Sequence, residues 1–523
     1  MIPKSSLAIR FFAIFLFLAA SAWGVVCAQQ TLPAGPGAET SKPSVAEQAP
    51  VSDAQVPSAS QISPASAPET PVPEAPATQA NTSAKIAPGT WKGKLILQPV
   101  QTGQSGSYSF DFVIRILSAG RGMLVDIPEQ SMFSYPVDRY SLNADSLSLV
   151  LDATGAEEEL AFSGSYSGTF APQGSAKKGG IVGTVRGRSW KGSFYVQKQE
   201  VQLQPGEMPF DVPVEGELLP ATITFPVHTA AELNPAAFVS FPLVILVAGA
   251  GKTDRNGNNF EVPGKTDTLL QLAEGLRARN VGSFRYDRRG TAEAYILEKP
   301  GHMTSFAQHV KDLVAVIRTA AALPREGRLI LAGMNEGAWM ALVALNQLGQ
   351  DADLVDGLIM LDSSGQSPME ALAGSLKDQD EEIRKTAMEA AQMLIKTGAL
   401  IPVPEILADF FSPSRKEWLA SWLALDPAEE LKRVPVPVLL VYGENDMQVS
   451  REAFAKLADA KPSAAIKIVP GMNYVLKEVH GEDENYAAFT DPSFKVPAIL
   501  VDLIAAFAKA QPAPQGLLPW SSH

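Results

Sequence analysis

Cysteine is almost absent from this sequence, with one in 523 residues, Cys27. A single thiol supports neither an internal disulfide nor a cysteine-based metal site. Positive charge is also short: 43 Lys and Arg stand against 56 Asp and Glu, a formal net charge of −13. No Lys/Arg stripe interrupts that balance, so a nucleic-acid groove is excluded. Apolar residues are not scarce, at 46%, and the length suits two or three domains with real cores. The run "FFAIFLFLAASAWGVV" falls short of the about 20 residues that a membrane span needs.

That run reads instead as part of an export signal. Lys4 and Arg10 supply the positive start, and "VCA" puts Val26 and Ala28 at −3 and −1 to a cleavage after Ala28. Residues 1–28 are therefore expected to be a signal peptide, giving a periplasmic or secreted protein with no membrane span after cleavage. Val26 is larger than the residue a lipoprotein site prefers before its cysteine, so Cys27 is read as removed, not lipidated.

Composition then divides the chain. Residues 29–86 are Pro, Ala, Ser, Thr and Gln with almost no large apolar side chains, which reads as a disordered linker. Residues 87–203 carry short alternating runs such as "WKGKLIL", "SFDFVIRIL", "SLSLVLD" and "KGSFYVQ" between Gly, Asn and Ser. They predict a small antiparallel β domain, barrel or sandwich, and hold no His, Cys or paired-carboxylate cluster for catalysis. Residues 213–511 alternate near-continuous apolar strands ("FPLVILVAG", "RLILAG", "VDGLIMLD", "VPVLLVYG") with amphipathic helices, one of which sets Phe306, Val310, Leu313 and Ile317 on a single face. This predicts a mostly parallel sheet covered on both faces. Residues 367–424 hold helices and no strand, and are read as a lid over the carboxyl ends of the strands. Residues 512–523 are a tail.

Two motifs fail on inspection. "GAGKT" (Gly249 to Thr253) has Leu246 where a phosphate-binding loop needs glycine, and turn residues replace the helix that should follow. "DRNGNN" has Asn259 at the glycine position of a calcium loop and Lys265 at the place of its final glutamate. No cofactor and no metal is expected.

A third motif holds. In "LAGMNEGAW" the spacing Gly333-x-x-x-Gly337 brackets Asn335 as a nucleophile elbow brackets its serine. A glycine-rich loop, "VAGAG", follows an earlier strand, "RYDRRG" closes the next, "YGENDMQV" follows a later one, and "PGMNY" the last. That is the chain order nucleophile, acid, histidine.

On these five motifs, the region resembles the secreted bacterial α/β hydrolases related to serine aminopeptidases, acyl esterases and dienelactone hydrolases. The domain that starts "GTWKGKL" resembles the β domain often fused to them. The resemblance implies an α/β-hydrolase fold and assigns positions. Asp446 matches the acid. Glu336 follows the nucleophile and would offer one oxyanion-hole N–H, and Ala250 or Gly251 the other. Asn335 stands at the nucleophile position and Tyr474 at the histidine position.

Two of three triad members are thus of the wrong chemical type. An amide is a poor nucleophile, and a tyrosine with an ordinary pKa near 10 is a poor base at neutral pH. Loss of the serine or histidine alone costs on the order of 10⁶ in turnover, about 8 kcal/mol of barrier. Relocated catalysis would have to draw on Ser283, Ser363 or Ser364 with His302, His309 or His480. Asparagine tolerates φ > 0, so it preserves the turn while removing the hydroxyl. The reading is a degenerate-triad pseudoenzyme that takes a small-molecule or peptide ligand in its lidded pocket. The rivals are an active esterase or peptidase with relocated groups, and a structural envelope protein.

Export carries its own test. The intact mass of envelope-fraction protein should correspond to a chain that starts at Gln29 and has no thiol. A mass that retains Cys27, or that carries lipid, contradicts it.

Overall fold

The computed structural model describes residues 86–510, apart from 101–105, 118–119, 131, 138, 154–157, 171–176, 200–205, 227–238, 263, 300 and 324. The expected signal peptide, the linker up to residue 85 and the tail lie outside the described residues. The described residues fall into two compact units, 86–199 and 206–510.

The first unit is one antiparallel sheet. Its strands are β1 (Gly89–Pro99), β2 (Tyr108–Ile116), β3 (Met123–Ile127), β4 (Met132–Pro136), β5 (Arg139–Leu142), β6 (Ser146–Ala153), β7 (Glu158–Phe170), β8 (Lys177–Arg186) and β9 (Trp190–Lys198). They pair in the order β4-β3-β2-β1-β9-β8-β7-β6-β5. Alternate residues point inward, and strands far apart in that order (β3 with Val125, β6 with Leu149) meet in one buried cluster. The sheet therefore curls over a single core instead of splitting into two layers. At its centre Phe112 stacks on Phe162 at 5.3 Å, and Phe194 meets Phe112 edge-on at 5.7 Å.

The second unit holds an eight-stranded sheet. Its strands are β10 (Glu207–Val214), β11 (Glu217–Thr224), β13 (Leu243–Val247), β14 (Gly282–Tyr286), β16 (Leu329–Met334), β17 (Gly357–Leu361), β18 (Val438–Gly443) and β19 (Ala465–Val469). The order is β10-β11-β14-β13-β16-β17-β18-β19, antiparallel as far as β14 and parallel from there on. A short parallel pair, β12 (Val239–Ser240) and β15 (Arg325–Glu326), stands apart. The sheet starts at Glu207, not at 213 as the sequence suggested, because "EMPFDVPV" forms its edge. Pro209 and Pro213 disguise that strand, and an edge is where a sheet tolerates proline. Strands β13, β16, β17 and β18 are buried at every residue, as a sheet covered on both faces requires.

The helices are α1 (Thr268–Ala278), α2 (Phe306–Ala321), α3 (Glu336–Leu348), α4 (Pro368–Ser375), α5 (Glu381–Thr397), α6 (Glu405–Ala408), α7 (Lys416–Leu423), α8 (Pro427–Lys432), α9 (Arg451–Ala460), α10 (Glu482–Ala487) and α11 (Ala498–Lys509). Helix α2 starts at Ser305, whose hydroxyl accepts from Gln308 N–H, and it buries Phe306, Val310, Leu313 and Ile317. Helices α4 to α7 fill the stretch between β17 and β18 with no strand among them. They are anchored on the domain. Trp418 stacks on Trp422 at 5.1 Å, and Trp422 lies 6.3 Å from Trp339 of α3. No helix among the described residues is long and apolar enough to cross a membrane.

Candidate functional site: an elbow closed by an asparagine

The parallel strands deliver their carboxyl ends to one rim, and the turn from β16 into α3 stands at its centre. Asn335 occupies that turn with φ 50° and ψ −117°, a strained backbone that asparagine accepts better than most side chains. The flanking glycines are required by close approach. A Cβ on Gly333 would fall 2.4 Å from the Ala338 backbone, and one on Gly337 would fall 2.4 Å from Ala248 O. The backbone of a nucleophile elbow is therefore intact.

Its side chain is committed elsewhere. Asn335 Nδ2 donates to Asp362 O at 3.0 Å and to Tyr474 O at 3.3 Å. Asn335 N–H donates to Leu361 O at 2.9 Å, and Ser363 Oγ donates back to Asn335 O at 3.0 Å. One residue thus ties the elbow, the end of β17 and the loop after β19. The histidine position reaches this centre through its backbone, while the Tyr474 ring lies stacked 6.5 Å from Phe489.

The proposed oxyanion positions lie beside it. A Cβ on Gly249 would sit 3.0 Å from Asn335 Oδ1, so the loop after β13 runs against the asparagine. Ala250 follows, and Gly251 turns with φ 75°. Arg288 joins the two halves of this arrangement. Its Nη1 donates to Gly249 O at 2.6 Å, and its Nη2 pairs with the buried Glu336 carboxylate at 3.0 Å. Sequence reasoning quoted "RYDRRG" but gave Arg288 no part. The 48 residues between the partners leave no local pattern to read.

Asp446 is where the acid belongs after β18. Its Oδ1 accepts from Gln448 N–H at 2.6 Å and Val449 N–H at 2.9 Å. Its Oδ2 is buried with no hydrogen-bond partner. Burial pushes the Asp446 carboxyl up to about 7. A second buried carboxyl, not singled out from sequence, is Asp362. Asp362 is wholly buried, adopts φ 42°, and takes Gly443 N–H on Oδ1 at 2.5 Å. Its Oδ2 also has no partner. Burial first, then the charge of Asp446, hold its carboxyl well above the ordinary range.

The residues of the relocated-catalysis reading do not meet. Ser283 is buried within β14, Ser363 Oγ is spent on Asn335 O, and Ser364 Oγ accepts from Gln366 N–H at 2.9 Å. His309 is buried on α2, where burial and the nearby Arg288 and Arg289 keep its imidazole well below its usual pKa. His302 is exposed, and His480 is exposed beside Glu484 at 3.5 Å. Among the described residues no serine hydroxyl is hydrogen-bonded to a histidine.

Beside Asn335 lies a cavity of about 40 Å³, lined among others by Gly249, Ala250, Thr253, Val475 and Phe489. That is room for about three waters, far below the roughly 300 Å³ at which small-molecule sites begin.

The strand order and the turn between β16 and α3 are those of an α/β-hydrolase fold. Residues 244–485 match the model of the alpha/beta hydrolase family. Among curated proteins, the esterase EstD of Thermotoga maritima is 22% identical over 276 residues, which is 52% of this chain and 61% of EstD. The 2-(acetamidomethylene)succinate hydrolase of Mesorhizobium japonicum is 26% identical over 38% of this chain and 73% of its own length. The solved structure of Est1E from Butyrivibrio proteoclasticus overlays 57% of this chain and 99% of its own at 16% identity, with a TM-score of 0.34. The chain spans less than two thirds of EstD's length.

The asparagine clamp makes a prediction. Asn335→Asp keeps the shape and the tolerance of φ > 0, but once ionised it faces two carbonyl oxygens it cannot donate to. The folded state resists that ionisation, so the substituted carboxyl has a raised pKa, and stability falls as pH rises through it. By urea unfolding the variant should lose about 1–3 kcal/mol at pH 8 and less at pH 5. Equal stability of variant and wild type at both pH values contradicts the clamp.

Proposed function

We propose that this chain is an exported α/β-hydrolase-fold protein that binds without hydrolysing. The observation that carries the reading is the Asn335 amide. The side chain at the nucleophile position holds two backbone carbonyls together, and the loop at the histidine position supplies one of them. A serine or histidine lost from an enzyme leaves a defect, whereas here the replacements bond to each other's segments. Degenerate triad positions Asn335, Asp446 and Tyr474 are then parts of a binding scaffold. Residues 367–424 serve as its lid, and Ala250, Gly251 and Glu336 offer backbone N–H groups beside the cavity.

The cavity suits one end of a ligand. A carboxylate or carbonyl group fits about 40 Å³, and the rest of a small molecule or peptide would lie beneath the helices between β17 and β18. The names of the relatives, an esterase and a succinate-derivative hydrolase, support acyl and carboxylate chemistry for that ligand. Periplasmic or secreted location rests on residues 1–28. No nucleic acid is proposed as a partner.

Fluorophosphonate labelling tests the reading. Wild-type protein should take up no label and should turn over short acyl esters no faster than a heat-treated control. Asn335→Ser combined with Tyr474→His should gain the label, because the elbow, Asp446 and the loop after β13 all remain. Wild-type turnover abolished by Ser364→Ala or His480→Ala would restore the active-hydrolase reading. A double variant that folds and never labels would show a site no longer aligned for a ligand's carbonyl.

A further inference from the structure

A second cavity, of about 280 Å³, lies between the β10–β11 hairpin, α2 and α3. None of its lining residues is shared with the cavity beside Asn335. Helix α2 supplies the floor. Lys311, Val314, Ala315 and Arg318 recur at i, i+3, i+4 and i+7, which sets them on one stripe. Val314 and Ala315 are half-buried, and the two cations at the ends of the stripe are exposed. Seven residues of helix separate those cations by about 10 Å along the axis. Pro213 and Val214 of β10 wall one side, and Gln347 near the end of α3 walls another.

The hairpin wall is fastened to the helix. Its turn, Glu215–Gly216, has positive φ at both residues, 49° and 88°, and a glutamate rarely adopts that conformation. The Glu215 side chain accounts for it: Oε2 accepts from Gln308 Nε2 of α2 at 3.0 Å and lies 3.9 Å from Arg289 Nη2. Arg289 in turn grips the buried Asp312 carboxylate, with Nε at 2.6 Å and Nη2 at 3.0 Å. The groove is thus formed by the protein's own contacts, as a ligand site usually is.

The same contacts fix the sign of the charge it offers. Two carboxylates and two cations line the groove. Asp312 and Glu215 are both met by donors on the protein. Among the described residues Lys311 has no hydrogen-bond or ion-pair partner for its ammonium. The Arg318 guanidinium meets Asp351 at 2.9 Å, with both side chains about half exposed, and a pair so solvated holds its partner weakly. The unmet charge in the groove is therefore positive, beside an apolar floor.

We propose that this groove binds a small organic acid. Its carboxylate lies between Lys311 and Arg318, and its apolar body lies over Val314 and Ala315 against Pro213 and Val214. The Gln347 amide can donate to the same carboxylate. The volume is near the lower end of small-molecule sites, roughly 300 Å³, and too small for a partner's helix. A chain of net charge −13 repels anions at long range, so recognition rests on these two cations at contact. The inference goes beyond the binding reading and needs neither the elbow nor the cavity beside it.

Titration calorimetry with naphthylacetate and its neutral amide, naphthylacetamide, tests the site. The acid should bind saturably, one per chain, and about tenfold more tightly than the amide. Lys311→Gln and Arg318→Gln should each weaken the acid by about fivefold and leave the amide unchanged. Ala315→Trp should fill the groove and abolish the binding of both. Absence of saturable binding overturns the proposal, and so does equal affinity for acid and amide. Acid binding that survives Ala315→Trp also overturns it, and a site beside Asn335 would then explain the signal and leave the binding reading standing. A probe that fails to bind, with wild type sedimenting as a dimer that Ala315→Trp breaks, would assign the groove to a second copy and overturn the proposal. If Ala315→Trp does not fold, the two exposed substitutions decide alone, and an unchanged preference for the acid in both overturns it.

Discussion

The amide of Asn335 is the contact on which the centre of the α/β domain depends. It sits at a tight turn between a fully buried strand and the helix that follows it, in a backbone conformation with positive φ. Such strain persists only where the surroundings hold it. Here the side chain itself does part of the holding, by joining β17 and the loop after β19 to the turn. A serine in that position keeps its hydroxyl free for chemistry and leaves those carbonyls to find other donors. Asparagine gives up the chemistry and satisfies them. An asparagine at this turn thus offers no hydroxyl nucleophile and bonds the two carbonyls beside it.

The surrounding groups have adjusted in the same direction. Arg288 binds the loop after β13 to the first residue of α3 through Gly249 O and Glu336, so the two segments that would frame an oxyanion stay in register. Tyr474, in the loop after β19, has no imidazolium to offer the Asp446 carboxyl. The Asp446 Oδ2 is buried with no hydrogen-bond partner. A cavity of about 40 Å³ lies beside Asn335. The hydrolase fold is present, and the side chains of Asn335 and Asp446 bond to backbone groups around the rim.

Much of this was legible before any coordinates. Continuous apolar runs such as "LVILV" and "GLIML" read as buried strands because a parallel sheet covered on both faces leaves them no polar side, and each is a strand. The order of the glycine-rich motifs placed Asn335, Asp446 and Tyr474 on the rim of that sheet. Five strands were not visible, and two of them, β12 and β15, are only two residues long. β4 and β5 are only five and four residues long, too short for a period to show, and β10 is broken up by two prolines that only its edge position excuses. Asp362 and Arg288 stood inside quoted motifs yet gave no sign of their parts. Their partners lie 81 and 48 residues away, and only the closing of the sheet brings them together. The site was legible as a set of positions, and its hydrogen bonding was not.

The central claim is that Asn335 is a clamp and not an empty nucleophile position, and its stability measures that most directly. Asn335→Ser restores the residue that an active elbow would carry and deletes the amide that donates to Asp362 and Tyr474. Equilibrium urea unfolding should find the α/β domain of this variant about 1–3 kcal/mol less stable than wild type, the cost of leaving buried carbonyls without donors. A serine variant as stable as wild type, or more stable, would contradict the account.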